Sequence, residues 1–157
     1  MNTRRTLLAA LFLSGTLGVW VHSSEAGEEP LVVVVIVNKA NPAAALAANE
    51  LRPIFQTTKT SWSSGGDATP FNLPDDNRLR QAFDQAVLGL DPDRIARYWK
   101  DRKIRGGARA PRQLPNTSAV LAAVAANPGA IGYVNATEAN NTVKVVAKIV
   151  GGKVSAP

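Results

Sequence analysis

The sequence predicts an exported α/β protein whose folded part is one three-layer domain, and three observations support this prediction. The run LVVVVIV at residues 31–37 is continuously apolar and mostly β-branched, which is typical of a strand buried on both faces of a sheet. Segments with the apolar spacing of helices alternate with short strand-like segments along the rest of the chain. The N-terminal segment instead has the pattern of a secretory signal.

Residues 1–26 combine a basic start, an apolar stretch and a small-x-small site, so we predict a signal peptide cleaved after Ala26. The apolar stretch is interrupted by Ser and Gly and is short for a membrane span of about 20 residues. An N-terminal anchor is the weaker alternative, and no stable membrane insertion is expected after cleavage. The paired Arg4 and Arg5 suit a twin-arginine signal as well as an ordinary one, so both export routes stay open. Residues 27–157 are expected to form one periplasmic domain.

The composition excludes several function classes. The chain has no cysteine, and its single histidine, His22, lies in the predicted signal, so neither a disulfide nor a histidine-based zinc or catalytic site is expected in the mature protein. No nucleophile and base stand at a recognisable spacing, so we expect no enzyme, metal or cofactor. The net charge is +6, with a basic cluster over residues 94–112. This cluster suits an acidic partner or a solvated surface, and nucleic acid is not expected for an exported chain.

The first half of the domain is predicted to follow the first strand with helix, loop and strand. The segment AAALAANELRPIF has helical character, with Asn49 as the N-cap of its second part. A loop rich in Thr, Ser and Gly follows at residues 57–70, and Trp62 is expected to pin it to the body of the domain. Thr69 to Leu73 is apolar enough for a second strand.

The second half is predicted to contain three helices and two strands. A helix from about Asn77 to Leu88 has one apolar stripe, and Asp91 caps the next helix, which begins at Pro92. Four basic residues of that helix are expected to face mostly solvent: Arg94, Arg97, Lys100 and Arg102. A third helix precedes the buried strand in NPGAIGYV. The segment NTVKVVAKIV is expected to be the last strand, with Lys144 and Lys148 facing outward.

The turn NLPDDNRLRQAF, residues 72–83, is the first candidate site. Arg78 and Arg80 stand in the first turn of a helix, where the dipole disfavours positive charge. One explanation is an anion bound by the helix N–H groups, the Asn77 amide and the two guanidinium groups. The other is that one of Asp75 and Asp76 caps the helix and that the two carboxylates neutralise both arginines as surface ion pairs. Both explanations stay open.

Two further groups of residues are candidates for the same crevice. The loop hydroxyls of Thr58 and Ser61 are expected there because ligands of open α/β sheets bind beyond the carboxyl ends of the strands. Asn116 and Thr117 stand at the start of the third helix and offer a second set of donors. Ordinary N-capping is the alternative for this pair.

Four motifs, ELRPIF, TTKTSW, RQAFDQAVLG and VLAAVAANPGAIGYV, resemble those of the solute-binding proteins of phosphate ABC transporters over residues 31–150. The resemblance implies a lobe of the periplasmic-binding-protein type, with a mixed sheet flanked by helices. It also implies phosphate or a similar small oxyanion as the ligand, and an ABC transporter permease as a partner. The family's anion turn reads E-G-S-G-T-R. Asn77 stands at its hydroxyl position and Arg80 at its arginine, whereas Arg78 and Leu79 replace glycine and threonine.

The family normally clamps its ligand between two lobes, and this chain corresponds to about one of them. A homodimer would supply the facing wall, and an open, weaker site is the other arrangement. The second function that the sequence allows is a single binding lobe that serves as a protein-interaction or scaffold module in the periplasm, without transport.

Overall fold

The computed structural model describes residues 30–157, and the predicted signal peptide lies outside them. The strands are β1 (Val33–Asn38), β2 (Thr69–Asn72), β3 (Arg112–Gln113), β4 (Ala130–Asn135), β5 (Val143–Val150) and β6 (Lys153–Ser155). The helices are α1 (Ala48–Phe55), α2 (Arg78–Phe83), α3 (Pro92–Ile104) and α4 (Thr117–Ala126). A π-helical turn, Asp84–Leu88, continues α2.

The six strands form one mixed sheet in the order β3-β2-β4-β1-β5-β6. Strand β1 is central and antiparallel to both of its neighbours, β4 and β5. Strand β2 runs parallel to β4 on one side and to β3 on the other. Every residue of β1 is buried, which confirms the strand buried on both faces that the β-branched run predicts.

Helices cover both faces of the sheet, and two neighbouring residues of β4 show how. Gly132 faces α4 so closely that a Cβ atom there would lie 2.5 Å from Cγ1 of Val120. Tyr133 points to the opposite face, where its ring stacks on Phe83 with the ring centroids 4.1 Å apart. Phe55 of α1 joins this aromatic cluster, with its centroid 4.5 Å from that of Phe83. The predicted three-layer α/β architecture is therefore confirmed.

The loop and helix starts follow several local predictions. Trp62 is 8% exposed, and its Nε1 donates a hydrogen bond to the Gly129 carbonyl oxygen at 3.0 Å, so it pins the loop as expected. Asp91 caps α3, and its side chain accepts a hydrogen bond from the Arg94 N–H. Pro92 is the first residue of α3, where its missing N–H costs nothing.

Several local predictions are wrong. The segment AAALAANELRPIF is helical only from Ala48, because the preceding residues follow β5 instead, with the Leu46 N–H donating to the Val146 carbonyl at 2.8 Å. Asn49 is not an N-cap, because α1 begins after Ala47, whose N–H donates to the Glu50 carboxylate, and Asn49 lies inside the first turn. Arg102 is half buried because it donates to the Gln56 carbonyl at 2.5 Å. Lys144 is also half buried, and its ammonium group donates to the Asn41 carbonyl.

The last strand is β6 rather than β5, which is a further correction. Gly151 and Gly152 both adopt positive φ, at 55° and 75°, and join β5 to β6 in an antiparallel hairpin. Two consecutive glycines are a recognised hairpin signal because this kind of turn requires positive φ at both positions. The two-residue strand β3 was also not predicted from the basic segment around it.

Candidate functional site

The starts of α2 and α4 both follow the carboxyl ends of neighbouring strands, at one end of the sheet. Strands β2 and β3 are parallel, so their carboxyl ends reach the same edge, and each leads into one of these helices. Two hydrogen bonds connect the segments that follow the strands. The Leu114 N–H donates to the Asn72 carbonyl at 2.8 Å, and the Gln113 amide donates to the Asp75 carboxylate at 3.0 Å. The sequence-predicted residues of both helix starts are therefore brought to one edge.

Asn77 is the N-cap of α2, so the prediction that Asp75 or Asp76 caps this helix is wrong. Its side-chain oxygen accepts a hydrogen bond from the Leu79 N–H at 2.9 Å, which satisfies one of the donors that a helix start leaves unpaired. Arg78 is the first residue of the helix, and its side chain is exposed. Asp75 and Asp76 are exposed on the turn just before the cap. The start of α2 thus presents one surface arginine beside two carboxylates.

Arg80 is buried and fully engaged within the protein. It is 3% exposed, and its Nε donates to Oδ2 of Asp84 at 2.6 Å. Its Nη1 donates to the Leu73 carbonyl at 2.9 Å and lies 3.3 Å from Oδ1 of Asp75. Arg80 therefore ties the turn after β2 to the helix that follows it. The expected neutralisation by Asp75 is present, and the closer partner is Asp84.

Asp84 was missed by sequence reasoning, although a signal for it exists. It stands four residues after Arg80, which is the spacing at which opposite charges on a helix meet. Burial raises the pKa of the Asp84 carboxyl above its ordinary value, and the neighbouring Arg80 offsets only part of that rise. Burial opposes the charge of Arg80, but Tyr133 and Asp84 hold its pKa above the ordinary value, so the guanidinium stays charged.

Tyr133 connects this ion pair to the core of the sheet. Its hydroxyl accepts a hydrogen bond from the Leu73 N–H and donates one to the Asn72 side chain, both at 3.3 Å. Burial strongly raises the pKa of the Tyr133 hydroxyl, so the phenol stays protonated in the physiological range. The turn after β2 is consequently fixed from three sides by Arg80, Tyr133 and Gln113.

The start of α4 has the ordinary capping that was the alternative explanation for Asn116. The Asn116 side chain accepts a hydrogen bond from the Ala119 N–H at 2.9 Å. Thr117 donates its hydroxyl to Oε1 of Glu138, in the turn that follows β4. Both residues lie at the predicted edge, and each already has a hydrogen-bond partner within the protein.

Thr58 and Ser61 are not at this edge. The Thr58 hydroxyl donates to the Pro53 carbonyl at 3.0 Å, at the carboxyl end of α1. Ser61 pairs through its backbone with Asp67, just before β2 begins. Because the helix starts lie beyond the opposite end of β2, the structure does not bring these hydroxyls into the crevice that was expected to hold them.

Residues 30–157 were also searched for metal-binding groups and membrane-spanning helices. Within residues 30–157, no three histidine, cysteine, aspartate or glutamate side chains are grouped so that they can hold a metal ion. In the same range, no helix combines the length and apolar character that crossing a membrane requires.

A family model described as a PBP superfamily domain matches residues 32–156, almost the whole described chain. The chain belongs to the PBP superfamily. The resemblance that the four sequence motifs indicate is therefore confirmed at the level of the family. No relative was found among curated proteins.

Solved structures share the fold of this PBP-superfamily chain at low identity. An ABC-type phosphate transport receptor from Vibrio cholerae matches with a TM-score of 0.59 and 16% identity, over 74% of this chain and 46% of the receptor. A putative phosphate ABC transporter substrate-binding protein with bound phosphate, from Clostridium perfringens, matches with a TM-score of 0.60 and 20% identity, over 74% of this chain and 45% of that protein. A possible phosphate binding protein from Planctomyces limnophilus matches with a TM-score of 0.57 and 17% identity, over 74% of this chain and 42% of that protein. The chain thus spans less than half the length of these structures.

Proposed function

We propose that this PBP-superfamily chain is an exported solute-binding protein, not an enzyme, that holds phosphate or a similar small oxyanion for an ABC transporter. The fold supports this proposal, since the three structural neighbours are named as phosphate receptors or phosphate-binding proteins. The periplasmic location rests on the signal peptide predicted over residues 1–26. The observation that carries the proposal is that two helices begin after the carboxyl ends of neighbouring parallel strands, at one end of the sheet.

The proposed ligand site is the surface formed by the starts of α2 and α4. Helix starts attract anions because their unpaired N–H groups carry partial positive charge. Asn77 and Arg78 are the proposed ligand-binding residues of α2, and Asn116 and Thr117 those of α4. Arg80 is proposed as a positioning residue because Asp84 and the Leu73 carbonyl already occupy its guanidinium.

The carboxylates beside this surface do not exclude an oxyanion. Asp75 lies 3.3 Å from the Arg80 guanidinium and accepts a hydrogen bond from Gln113, and its side chain is exposed, so solvent screens its charge. Asp76 is exposed, where solvent screens its charge. The surface arginine Arg78 is then the group that best matches two oxygens of a tetrahedral anion.

A titration calorimetry experiment with phosphate, sulfate and molybdate tests this site. Because Arg78 contributes a charge-assisted contact, Arg78→Gln is expected to weaken phosphate binding about tenfold, which corresponds to about 1.4 kcal/mol. Arg94→Gln is the matched control, since it removes another exposed arginine from the first turn of a different helix. Absence of heat with every anion at millimolar concentration would refute oxyanion binding, and equal weakening by both variants would refute the placement.

A homodimer is the proposed source of the second wall of the binding site, opposite the starts of α2 and α4. The chain covers less than half of its structural neighbours, and a homodimer that places two such edges face to face would complete the clamp. Analytical ultracentrifugation with and without phosphate distinguishes this arrangement from an open site. A dimer that forms more tightly with phosphate supports the clamp, and a monomer that binds phosphate supports the open site.

A second function is a periplasmic protein-interaction module without transport. The internal pairing of Arg80 favours it, because the arginine that matches the family's anion turn does not face solvent. A pull-down from envelope extract that recovers a partner, together with no heat from any anion, would establish this second function over the first.

A further inference from the structure

A cavity of about 240 Å³ lies between α2, α3 and the segment leading into β3. It shares Asp75, Arg80 and Gln113 with the support of the helix-start surface, but none of the four proposed oxyanion-binding residues Asn77, Arg78, Asn116 and Thr117 lines it. Its apolar wall comes from α3 and from Pro111, and its polar wall includes Asn72, Asp84 and Gln113. The volume is slightly below the roughly 300 Å³ at which pockets for drug-sized ligands begin, so the cavity suits a small solute.

Two residues that line the cavity carry buried polar atoms without a hydrogen-bond partner among the described residues. One is Oδ1 of Asp84, whose side chain is only 8% exposed and whose other oxygen accepts a hydrogen bond from Arg80. The other is Nε1 of Trp99 on α3. Buried polar groups are nearly always paired in native proteins, so two unpaired ones around one cavity indicate an absent partner.

The backbone gives a second, independent indication. Asp84 is the first residue of the π-helical turn that continues α2. Single π-turns are rare inside helices and occur frequently at functional sites. Here the turn begins at the residue whose carboxylate oxygen is left unpaired.

The chemistry of the lining identifies the missing partner. Asp84 Oδ1 requires a donor, and the Trp99 N–H requires an acceptor; a hydroxyl group supplies either. An anion is disfavoured because Asp75 and Asp84 both line the cavity and their charges exceed that of Arg80. A cation would suit the carboxylates but would leave the Trp99 N–H without an acceptor. The carboxamides of Asn72 and Gln113 add donors and acceptors for further hydroxyls.

We propose that this cavity binds a small neutral polyhydroxylated solute, with hydroxyl groups that donate to Asp84 Oδ1 and accept from Trp99 Nε1. The apolar wall formed by Ile95 and the Trp99 indole then packs against the carbon skeleton of the solute. This site does not depend on oxyanion binding at the helix starts, and either can fail without the other.

The indole N–H resonance of Trp99 in a ¹⁵N–¹H correlation spectrum tests the proposal directly. The full chain is titrated with glycerol, erythritol and glucose, and Trp99→Phe assigns the resonance. The expected result is a saturable shift of the Trp99 signal with at least one polyol. The Trp62 signal is the internal control and is expected to stay in place, since its N–H already donates to Gly129.

Filling variants establish where the polyol binds. Ala96 and Ala110 line the cavity from its exposed side, so Ala96→Leu or Ala110→Leu should weaken polyol binding at least tenfold. Ala122→Leu, on the exposed face of α4, is the matched control and should bind as the wild type does. An unshifted Trp62 signal in each variant reports that the fold is retained.

Three results would overturn the proposal. The first is the absence of a saturable Trp99 shift with any of the polyols, which would leave the cavity to water. The second is a shift that both filling variants leave unchanged. The third is a stronger response to methylammonium or inorganic phosphate than to the polyols, because the ligand would then be charged.

Discussion

Two halves of the sheet, the strands β1, β4 and β5 on one side and β2 and β3 on the other, are stabilised by different interactions. On the β1–β4–β5 side, the strands are packed almost entirely by apolar side chains, and α4 approaches β4 at Gly132. On the β2–β3 side, the turn after β2 and the helix α2 are joined by the buried guanidinium of Arg80. Close apolar packing therefore holds the elements together on the first side, and a buried charged group holds them together on the second. The proposed cavity site lies on the second side, and the proposed oxyanion site combines the start of α2 on that side with the start of α4.

This difference has a physical consequence for how each side responds to change. Removing one partner of a buried ion pair lowers the stability of a protein much more than replacing both partners by apolar residues, because the remaining charge stays desolvated. At a tightly packed apolar contact, the stability is lowered instead by a substitution that adds volume. Each side can therefore be tested by a single substitution and by a second one that compensates it.

The largest effect is expected on the charged side, from Arg80→Met. The substitution leaves Asp84 buried without its partner and should lower the free energy of unfolding by about 3–5 kcal/mol. Urea denaturation followed by circular dichroism measures it. The double variant Arg80→Met/Asp84→Leu should recover most of the loss, because it removes both buried charges. A loss well below 1 kcal/mol in the single variant would mean that the pair is not essential to this side.

A smaller effect is expected on the apolar side, from Gly132→Ala. The added Cβ would lie 2.5 Å from Cγ1 of Val120, so β4 and α4 must separate, at a cost of about 1–3 kcal/mol. The same denaturation experiment measures the loss. Adding Val120→Ala removes the clashing atom, and the double variant should lose less than the sum of its two single variants. Strict additivity would argue that the clash is relieved elsewhere.

The smallest effect is a pH dependence that belongs to the charged side. Because burial raises the pKa of Asp84 above its ordinary 3.8, the folded state binds this proton more tightly than the unfolded state does. The resulting stability is present below pH 3.8 and is lost as pH rises through the higher folded-state pKa. Relative to Asp84→Asn, the wild type should therefore lose stability as pH rises from about 3.8. The loss should be about 1.4 kcal/mol for each pH unit that separates the folded-state pKa from the unfolded-state pKa.

Denaturation curves from pH 3 to 7 compare the two proteins. Asp76→Asn is the control, since it removes an exposed carboxylate from the turn before α2 and should keep the wild-type pH dependence. If the wild type gained stability relative to Asp84→Asn over this range, the attraction of Arg80 would outweigh the cost of burial.

Much of the fold could be predicted from local patterns. The β-branched run of β1, the apolar stripe of α2 and the Asp91–Pro92 start of α3 are features of neighbouring residues, and all three are confirmed. Strand β3 could not be predicted in this way, because a two-residue strand in a basic segment exists only where β2 offers it a partner. The half-buried positions of Arg102 and Lys144 likewise depend on carbonyl groups far away in the sequence.

The candidate site was predictable only in part. The sequence places Asn77 and Asn116 at helix starts, and the structure brings both to one edge. It cannot show that Thr58 and Ser61 lie at the other end of β2, since that depends on the path of a loop. The sequence also cannot show that Asp84 and Trp99 carry unpaired buried atoms, because the two residues belong to separate helical segments and line one cavity only in the folded chain.

The sequence by itself determined the alternation of helix and strand, the central buried strand, the caps of α3 and α4 and the family resemblance, because these depend on spacing and on residues close together in the chain. Only the tertiary structure decided the role of Arg80. An arginine in the first turn of a helix can face an incoming anion or turn inward, and the choice depends on which groups surround it. Here the Leu73 carbonyl and the Asp84 carboxylate meet its guanidinium inside the protein. Arg78, two residues earlier on the same helix, stays at the surface.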